Sequence, residues 1–188
     1  MPNSFVRLIG SAMMFFSAVA TAQVRDSGAY AGLRVGSELS YRDWASVEGD
    51  GDMRGLYAGW NFGRHWAVEA SYSDLGSTYS VDDGPDQGFG VDGKSWTIGA
   101  VFRVPVSERF DLFAGAGLFR LDQDGVVITI GGPYPSDYSE TSIYSELGAR
   151  FHFNTMLALR GSLQWVDADE YYLDTGDARP WLGLEISF

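Results

Sequence analysis

Few of the residue types that carry out catalysis occur in this sequence. There is no cysteine, so thiolate chemistry, disulfides and cysteine-based metal sites are excluded. The two histidines are His65 and His152, and neither is followed by a serine in a His-x-Ser arrangement. No Gly-x-Ser-x-Gly nucleophile elbow, His-Glu-x-x-His metal motif or phosphate-binding loop is present. The sequence therefore predicts a protein with no catalytic residues, no cofactor and no resident metal.

Acidic residues instead form short clusters, and carboxylate oxygens are the ligands that calcium and magnesium prefer. The clusters lie at Glu48–Asp52, Asp82–Asp86, Asp122–Asp124 and Asp167–Glu170. None has the full spacing of an EF-hand loop, which needs a third Asp or Asn, a glycine and a distant Glu. We therefore expect solvated loops, with weak calcium binding as the alternative. The net charge of −12 argues against nucleic-acid binding, because phosphate neutralisation needs a basic face.

The first 22 residues have the layout of a secretory signal peptide. Arg7 supplies a positive charge, and Leu8–Ala20 is a mainly apolar run, shorter than the ~20 residues that a membrane-spanning helix needs. Ala20-Thr21-Ala22 then provides the small-x-small cleavage pattern. We expect residues 1–22 to be cleaved and residues 23–188 to form one domain.

Beyond the signal peptide, apolar residues recur at every second position, which is typical of β-strands. The residues between them are mostly small, with a few aromatic and charged ones. Such residues suit the cramped interior of a small barrel better than a water-facing surface. Eight strands are predicted, with apolar positions within Ala31–Val35, Leu56–Phe62, Trp66–Tyr72, Trp96–Val104, Phe110–Leu118, Ile143–Phe153, Leu157–Trp165 and Leu182–Phe188.

The apolar rows are therefore expected to face lipid, where a closed barrel satisfies every backbone hydrogen-bonding group. Alternate connections are short, and the other four are long and hold most of the 25 acidic residues. The predicted fold is an all-β, eight-stranded antiparallel up-and-down transmembrane β-barrel with long acidic loops outside the cell. A secreted, soluble, lipocalin-like barrel is the less favoured alternative. The long connections span roughly residues 37–53, 74–93, 121–141 and 166–177.

The same alternation places seven charged residues, four positive and three negative, on the inner face. Buried charges need partners, because an unpaired one is strongly destabilising. The pattern predicts an ion-pair network that fills the lumen, with a gate for ions as the alternative. The seven residues are Arg34, Glu69, Arg103, Glu146, Arg150, Arg160 and Glu185.

Several segments resemble a known family. Tyr30–Gly36, Trp66–Gly76 and Leu159–Trp165 resemble strands one, three and seven of the OmpA-like outer-membrane barrels, and Leu182–Phe188 resembles the terminal signal of outer-membrane barrels. The resemblance covers essentially all of residues 23–188. It implies a Gram-negative outer-membrane location among lipids and lipopolysaccharide, and assembly by the barrel-assembly machinery. That machinery is expected to read Leu182, Leu184, Ile186 and Phe188.

The resemblance also bears on the lumen and on function. Glu69 and Arg160 match the strand-three Glu and strand-seven Arg that pair across the lumen in this family, and a change of partner there would open a narrow ion path. The sequence stops at Phe188, so we expect no peptidoglycan-binding domain like that of larger members.

The expected function is non-enzymatic and concerns structure or surface interaction, with a narrow gated path for ions or small solutes as a further expectation. Contact of the loops with a surface or host protein, or with lipopolysaccharide through divalent cations, stays open. The alternative is an outer-membrane enzyme that modifies lipid A, which would need a histidine-containing dyad at the outer rim.

Overall fold

A computed structural model describes residues 27–37, 47–49, 52–81, 88–129, 132–167 and 178–188. The predicted signal peptide lies outside these ranges, as do parts of all four predicted long connections. Among the described residues, no helix is long and apolar enough to cross a membrane. The strands are β1 Ser27–Ser37, β2 Val47–Gly49, β3 Asp52–Phe62, β4 Trp66–Val81, β5 Gly88–Pro105, β6 Phe110–Thr129, β7 Gly132–His152, β8 Leu157–Asp167 and β9 Arg179–Ser187.

Eight of these strands form a closed ring in which every neighbouring pair is antiparallel. The order around the ring is β1, β3, β4, β5, β6, β7, β8 and β9, and β9 returns to β1. The short strand β2 stands outside the ring and pairs with the far end of β4. The prediction of an eight-stranded antiparallel up-and-down barrel is therefore confirmed, and β2 is an addition that the alternation did not reveal.

Side chains alternate between the outside of the ring and its lumen, as the period of a strand requires. Large apolar side chains on the outside are strongly exposed, for example Leu33 at 70% and Trp60 at 53%. Small and charged residues point inward and are buried or half-buried. A continuous apolar surface of this kind is unfavourable in water and matches the hydrocarbon of a membrane. The predicted assignment of the two faces is confirmed.

Three short turns lie at one end of the barrel, at residues 63–65, 106–109 and 153–156. Gly63 adopts φ +103°, a backbone conformation that favours glycine, so the first turn can be tight. Phe153 was predicted as the last outward residue of the sixth strand, which is wrong. Strand β7 ends at His152, and the Phe153 N–H instead closes the third turn by donating to the carbonyl of Leu157 at 2.9 Å.

At the opposite end, four strands continue beyond the ring. Pairing of β3 with β4 ends at Arg54 and Asp74, and pairing of β7 with β8 ends at Ile143 and Asp167. The pairs β4–β5, β5–β6 and β6–β7 continue well past that level. We call this extension the outer sheet; it comprises residues 75–81, 88–93, 122–129 and 132–142, with β2 at one edge.

The predicted long loops at 74–93 and 121–141 are therefore wrong over most of their length. They are the ends of two hairpins, with only 82–87 and 130–131 outside the described residues. The apolar alternation disappears here because the outward face no longer meets lipid, although backbone pairing continues. The remaining two predicted loops, at 37–53 and 166–177, lie largely outside the described residues.

A β-bulge marks the point at which β4 leaves the ring. The register between β4 and β5 shifts between Asp74 and Gly76, and Gly76 has φ +83°. The side chain of Asp74 accepts the Gly76 N–H at 3.0 Å, which holds the bulge. The additional residue, Leu75, is buried and lies over Gly93 of β5. The bulge thus turns an apolar side chain over the mouth of the lumen.

Candidate functional site: the barrel lumen

The structure places all seven predicted charged residues on the inner face of the barrel. Each is at most 6% exposed. Five of them come from four different strands and meet in the middle of the lumen, because the stagger of a small barrel brings distant sequence positions to one level. These five residues, which we call the ion-pair chain, are Glu146, Arg160, Glu69, Arg150 and Glu185.

Arg160 is the centre of the ion-pair chain. Its Nη1 donates to Glu69 Oε2 at 2.6 Å, and its Nη2 donates to the two carboxylate oxygens of Glu146 at 3.1 and 3.0 Å. Arg150 Nη2 lies 3.7 Å from the same oxygen of Glu69, and its Nε lies 3.4 Å from Glu185 Oε2. Buried charges persist only when they are compensated in this way. The contact between Glu69 and Arg160 has the partners that the family resemblance implied.

The other two predicted residues stand outside the ion-pair chain. Arg34 donates from Nη2 to the hydroxyl groups of Ser71 and Ser73, both at 2.8 Å, and its guanidinium lies 4.1 Å from the ring centre of Trp181. Arg103 makes no side-chain hydrogen bond or ion pair with any residue that the structure describes. Its guanidinium lies over the ring of Tyr30 at 5.3 Å. The single seven-residue network that the sequence suggested is thus divided into three parts.

Aromatic side chains that were not among the predicted site residues complete the charge network. The hydroxyl of Tyr30 donates to Glu69 Oε2 at 2.8 Å, and that of Tyr57 donates to Glu185 Oε2 at 3.3 Å. The Arg160 guanidinium lies 4.7 Å from the ring centre of Tyr57 and 4.3 Å from that of Phe113. These contacts are cation–π interactions in a desolvated place. The alternation along each strand places these rings on the inner face, and this is the sequence signal that could have identified them.

Above the ion-pair chain, towards the outer sheet, the lumen is filled by a buried apolar cluster that we call the outer cap. Trp181 satisfies its polar group by donating from Nε1 to Gln164 at 3.2 Å. The two remaining aromatic members, Phe119 and Tyr144, are 1% and 4% exposed. The outer cap therefore closes the lumen at that level. Its members are Met53, Leu75, Phe119, Leu121, Tyr144, Val166 and Trp181.

Both histidines lie at the end of the barrel that carries the short turns. His152 Nε2 lies 3.1 Å from both carboxylate oxygens of Asp111, and both residues are buried. His65 Nδ1 lies 2.9 Å from the backbone carbonyl oxygen of Arg103, and its ring stacks on Phe102. The buried pair of Asp111 and His152 was not among the predicted site residues, although both positions alternate with outward apolar residues and therefore face inward. Neither histidine lies at the rim beneath the outer sheet.

Metal ligation finds no support in the part of the chain that the structure covers. No group of three or more His, Asp or Glu side chains there is arranged to hold a metal ion. Much of the four acidic clusters lies outside the described residues, so weak calcium binding by the loops stays a prediction. Leu182, Leu184 and Ile186 on β9, and Phe188 directly after it, are outward-facing and exposed. Their role as an assembly signal stays a prediction.

A closed barrel with an apolar exterior and a charged, filled lumen can be compared with known proteins. The family model described as outer membrane protein beta-barrel domain matches residues 9–181. The chain belongs to this family. It is thus an outer-membrane β-barrel protein. No curated protein matches the chain.

Solved structures of other outer-membrane barrels have the same fold. OprG from Pseudomonas aeruginosa has a TM-score of 0.58 at 13% identity, covering 88% of this chain and 98% of OprG. The N-terminal barrel domain of OprF from the same organism has a TM-score of 0.56 at 15% identity, covering 86% of this chain and 99% of that domain. Neisserial surface protein A has a TM-score of 0.53 at 10% identity, with coverage of 87% and 98%. At these identities the likeness concerns the fold alone.

Proposed function

We propose that this outer-membrane barrel is a surface scaffold: a closed, membrane-anchored cylinder that holds the outer sheet outside the cell for contact with a partner. The observation that carries the proposal is the combination of a filled lumen with four strands that continue past the ring. Transport needs an open path, whereas presentation of a surface needs a rigid anchor and a structured element beyond the membrane. The filled lumen and the four extended strands support a role in presenting a surface.

The exposed chemistry of the outer sheet supports a contact surface. Tyr134 is 57% exposed and Tyr138 is 37% exposed, and Tyr138 donates its hydroxyl hydrogen to Glu140 at 2.6 Å. Tyrosine gives a large contact area for little loss of conformational freedom and is common at binding surfaces. Asp137 and Asp124 are also exposed. We therefore infer a protein or lipopolysaccharide partner that tolerates or complements an acidic, tyrosine-bearing surface.

The proposal requires a defined orientation, with the outer sheet outside the cell and the short turns in the periplasm. The absence of cysteine makes this measurable without background. We expect a Ser139→Cys variant in the outer sheet to react on intact cells with a membrane-impermeant maleimide. A Ser107→Cys variant, in an exposed short turn, should react only after the outer membrane is permeabilised. Labelling of the Ser107→Cys variant alone on intact cells would overturn the orientation and the proposed function with it.

Export and insertion belong to the same proposal. Residues 1–22 would direct the chain across the inner membrane and be removed, and β9 would present Leu182, Leu184, Ile186 and Phe188 to the barrel-assembly machinery. Three of these side chains are exposed on one face of β9, and Phe188 is exposed directly after it, which supports that role.

A narrow ion path is the second candidate function, and one distance favours it. Glu69 Oε2 lies 2.6 Å from Arg160 Nη1, and Arg150 Nη2 lies 3.7 Å from the same oxygen. A small movement would therefore exchange one arginine partner for the other. The exchange costs little Coulomb energy, because the carboxylate stays paired throughout.

Single-channel conductance of the refolded protein in a planar bilayer separates the two candidates. The scaffold proposal predicts a silent membrane from demonstrably folded protein. Discrete small openings, altered in a Glu69→Ala, Arg160→Ala variant, would instead favour the gated path. Unchanged lipid A in cells that overproduce the parent or a His65→Ala, His152→Ala variant is expected for either candidate and would exclude lipid A modification through these histidines.

A further inference from the structure

Two buried arginines in the lumen, Arg103 and Arg150, each have at least two guanidinium nitrogens without a hydrogen-bond partner among the described residues. Arg103 is 3% exposed and Arg150 is fully buried. Nε and Nη2 of Arg103 and all three guanidinium nitrogens of Arg150 have no hydrogen-bond partner among the residues that the structure describes. Buried donors are nearly always satisfied in folded proteins, because each unsatisfied donor is destabilising. These donors therefore have room for an acceptor that the described residues do not supply.

The nearby carboxylates are already engaged elsewhere. Glu69 Oε2 accepts from Arg160 and Tyr30, and Glu185 Oε2 accepts from Tyr57. The distances of 3.7 and 3.4 Å from Arg150 to these two oxygens are ion-pair contacts without hydrogen-bond geometry. Asp111, which pairs with Arg150 across the strands, has both carboxylate oxygens at 3.1 Å from His152. No carboxylate of the described residues forms an ion pair with Arg103.

The two guanidinium groups converge on one ring. The Cζ atom of Arg103 lies 5.3 Å from the ring centre of Tyr30, and that of Arg150 lies 5.0 Å from the same centre. The Tyr30 hydroxyl is anchored on Glu69, so the ring cannot turn away. Two like charges held beside one ring repel each other in a low-dielectric interior. Water would fill their hydrogen-bonding needs, but a negative ion would also cancel the repulsion.

We propose that Arg103 and Arg150 bind a small inorganic anion of halide size beside Tyr30. The interior of an eight-stranded barrel is nearly filled by side chains, which favours a monatomic ion over a larger oxyanion. The site includes Arg150 of the ion-pair chain and lies on the side of that chain that faces the short turns, away from the outer cap. Its role is independent of the surface contact proposed above, because it concerns the lumen alone.

Anomalous diffraction gives the direct test. The refolded barrel is crystallised in sodium bromide, and an anomalous peak is expected within hydrogen-bonding distance of both guanidinium groups. A Met side chain has a similar length without charge, so the peak should vanish in an Arg103→Met variant. The Arg34→Met variant is the matched control, because Arg34 is a buried lumen arginine with a single unpaired nitrogen, Nε, among the described residues, and an Nη2 that already donates to two serines. Bromide density should persist there. Density without an anomalous signal would mean water only and would overturn the proposal.

A solution measurement keeps the test valid if a variant crystallises poorly. Chloride is compared with gluconate, which is too large for the site, at equal ionic strength. A ligand that binds only the folded state raises stability with its concentration. We expect the thermal midpoint of the parent and of Arg34→Met to rise by a few degrees in chloride and to saturate. Arg103→Met should show no difference between the salts. An equal rise in Arg103→Met would assign the effect to ions elsewhere and contradict the site.

Discussion

Glycines on the inner face determine where the aromatic rings of the lumen lie. A Cβ atom added to Gly59 would be 2.3 Å from Cζ of Tyr30, and one added to Gly32 would be 2.4 Å from Cζ of Tyr57. Each ring thus lies across the bare backbone of a neighbouring strand. That position lets the two hydroxyl groups reach Glu69 and Glu185 and presents the ring faces to the arginines. The glycines therefore position the charge network without touching it.

A single methyl group at Gly59 should accordingly disturb the lumen. We expect Gly59→Ala to lower the free energy of unfolding by about 1–3 kcal/mol, because the Tyr30 ring must leave a well-packed position. Gly161→Ala is the matched control, since an added Cβ there has no atom within 4 Å. Urea unfolding in detergent micelles, followed by tryptophan fluorescence, measures both. Equal stability of the two variants would show that the ring contact does not hold the network.

At the scale of elements, the outer sheet and the ring use the same strands but depend on different interactions. Inside the ring each strand has two partners and an apolar face against lipid. In the outer sheet β7 has β6 on one side, and the described part of β8 ends at Asp167, opposite Ile143. Pro133 and Pro135 lie on this edge of β7, where a missing N–H discourages pairing with another chain. The outer sheet should therefore contribute little to the stability of the ring.

Shortening the β6–β7 hairpin tests this separation. Gln123 and Tyr138 are directly paired, so deletion of 124–137 and insertion of an Asn-Gly turn preserves the register. We expect a folded barrel whose free energy of unfolding changes by no more than about 1 kcal/mol. Joining Gly117 to Tyr144 in the same way removes Phe119 and Leu121 from the outer cap and should prevent stable folding. Failure of the shorter deletion to fold would make the outer sheet part of the folding unit.

The sequence predicts those parts of the molecule in which every strand has lipid on one face and the lumen on the other. Lipid on one side and a cramped lumen on the other impose a period of two, so the ring strands and the inward face of all seven charges could be predicted. The alternation shows which face of the strand a residue lies on, but not its position along the barrel axis. It could therefore not separate Arg103 and Arg34 from the ion-pair chain. Outside the lipid the strands have no apolar face, so the alternation ends there. For that reason the outer sheet was predicted as loops.

At the scale of the whole molecule, the lumen is closed by two layers in series. The ion-pair chain crosses the middle of the barrel, and the outer cap lies between it and the outer sheet. An ion that passed the first layer would meet a dry apolar layer that offers no compensation for lost hydration. Rearrangement of Glu69 alone would consequently leave the lumen closed. This arrangement suits a rigid anchor for a displayed sheet.

Conductance of three variants in planar bilayers tests the two-layer closure. The first combines Glu69→Ala with Arg160→Ala, the second combines Phe119→Ala with Leu121→Ala, and the third carries all four changes. Loss of Arg160 leaves the buried Glu146 without its arginine partner, so circular dichroism must show that the first and third variants are folded before their conductance is compared. We expect no openings from the first two and discrete small openings from the third, because only the third clears both layers. Openings from the first variant equal to those of the third would show that the outer cap does not block ions, and would transfer the functional assignment to the gated path.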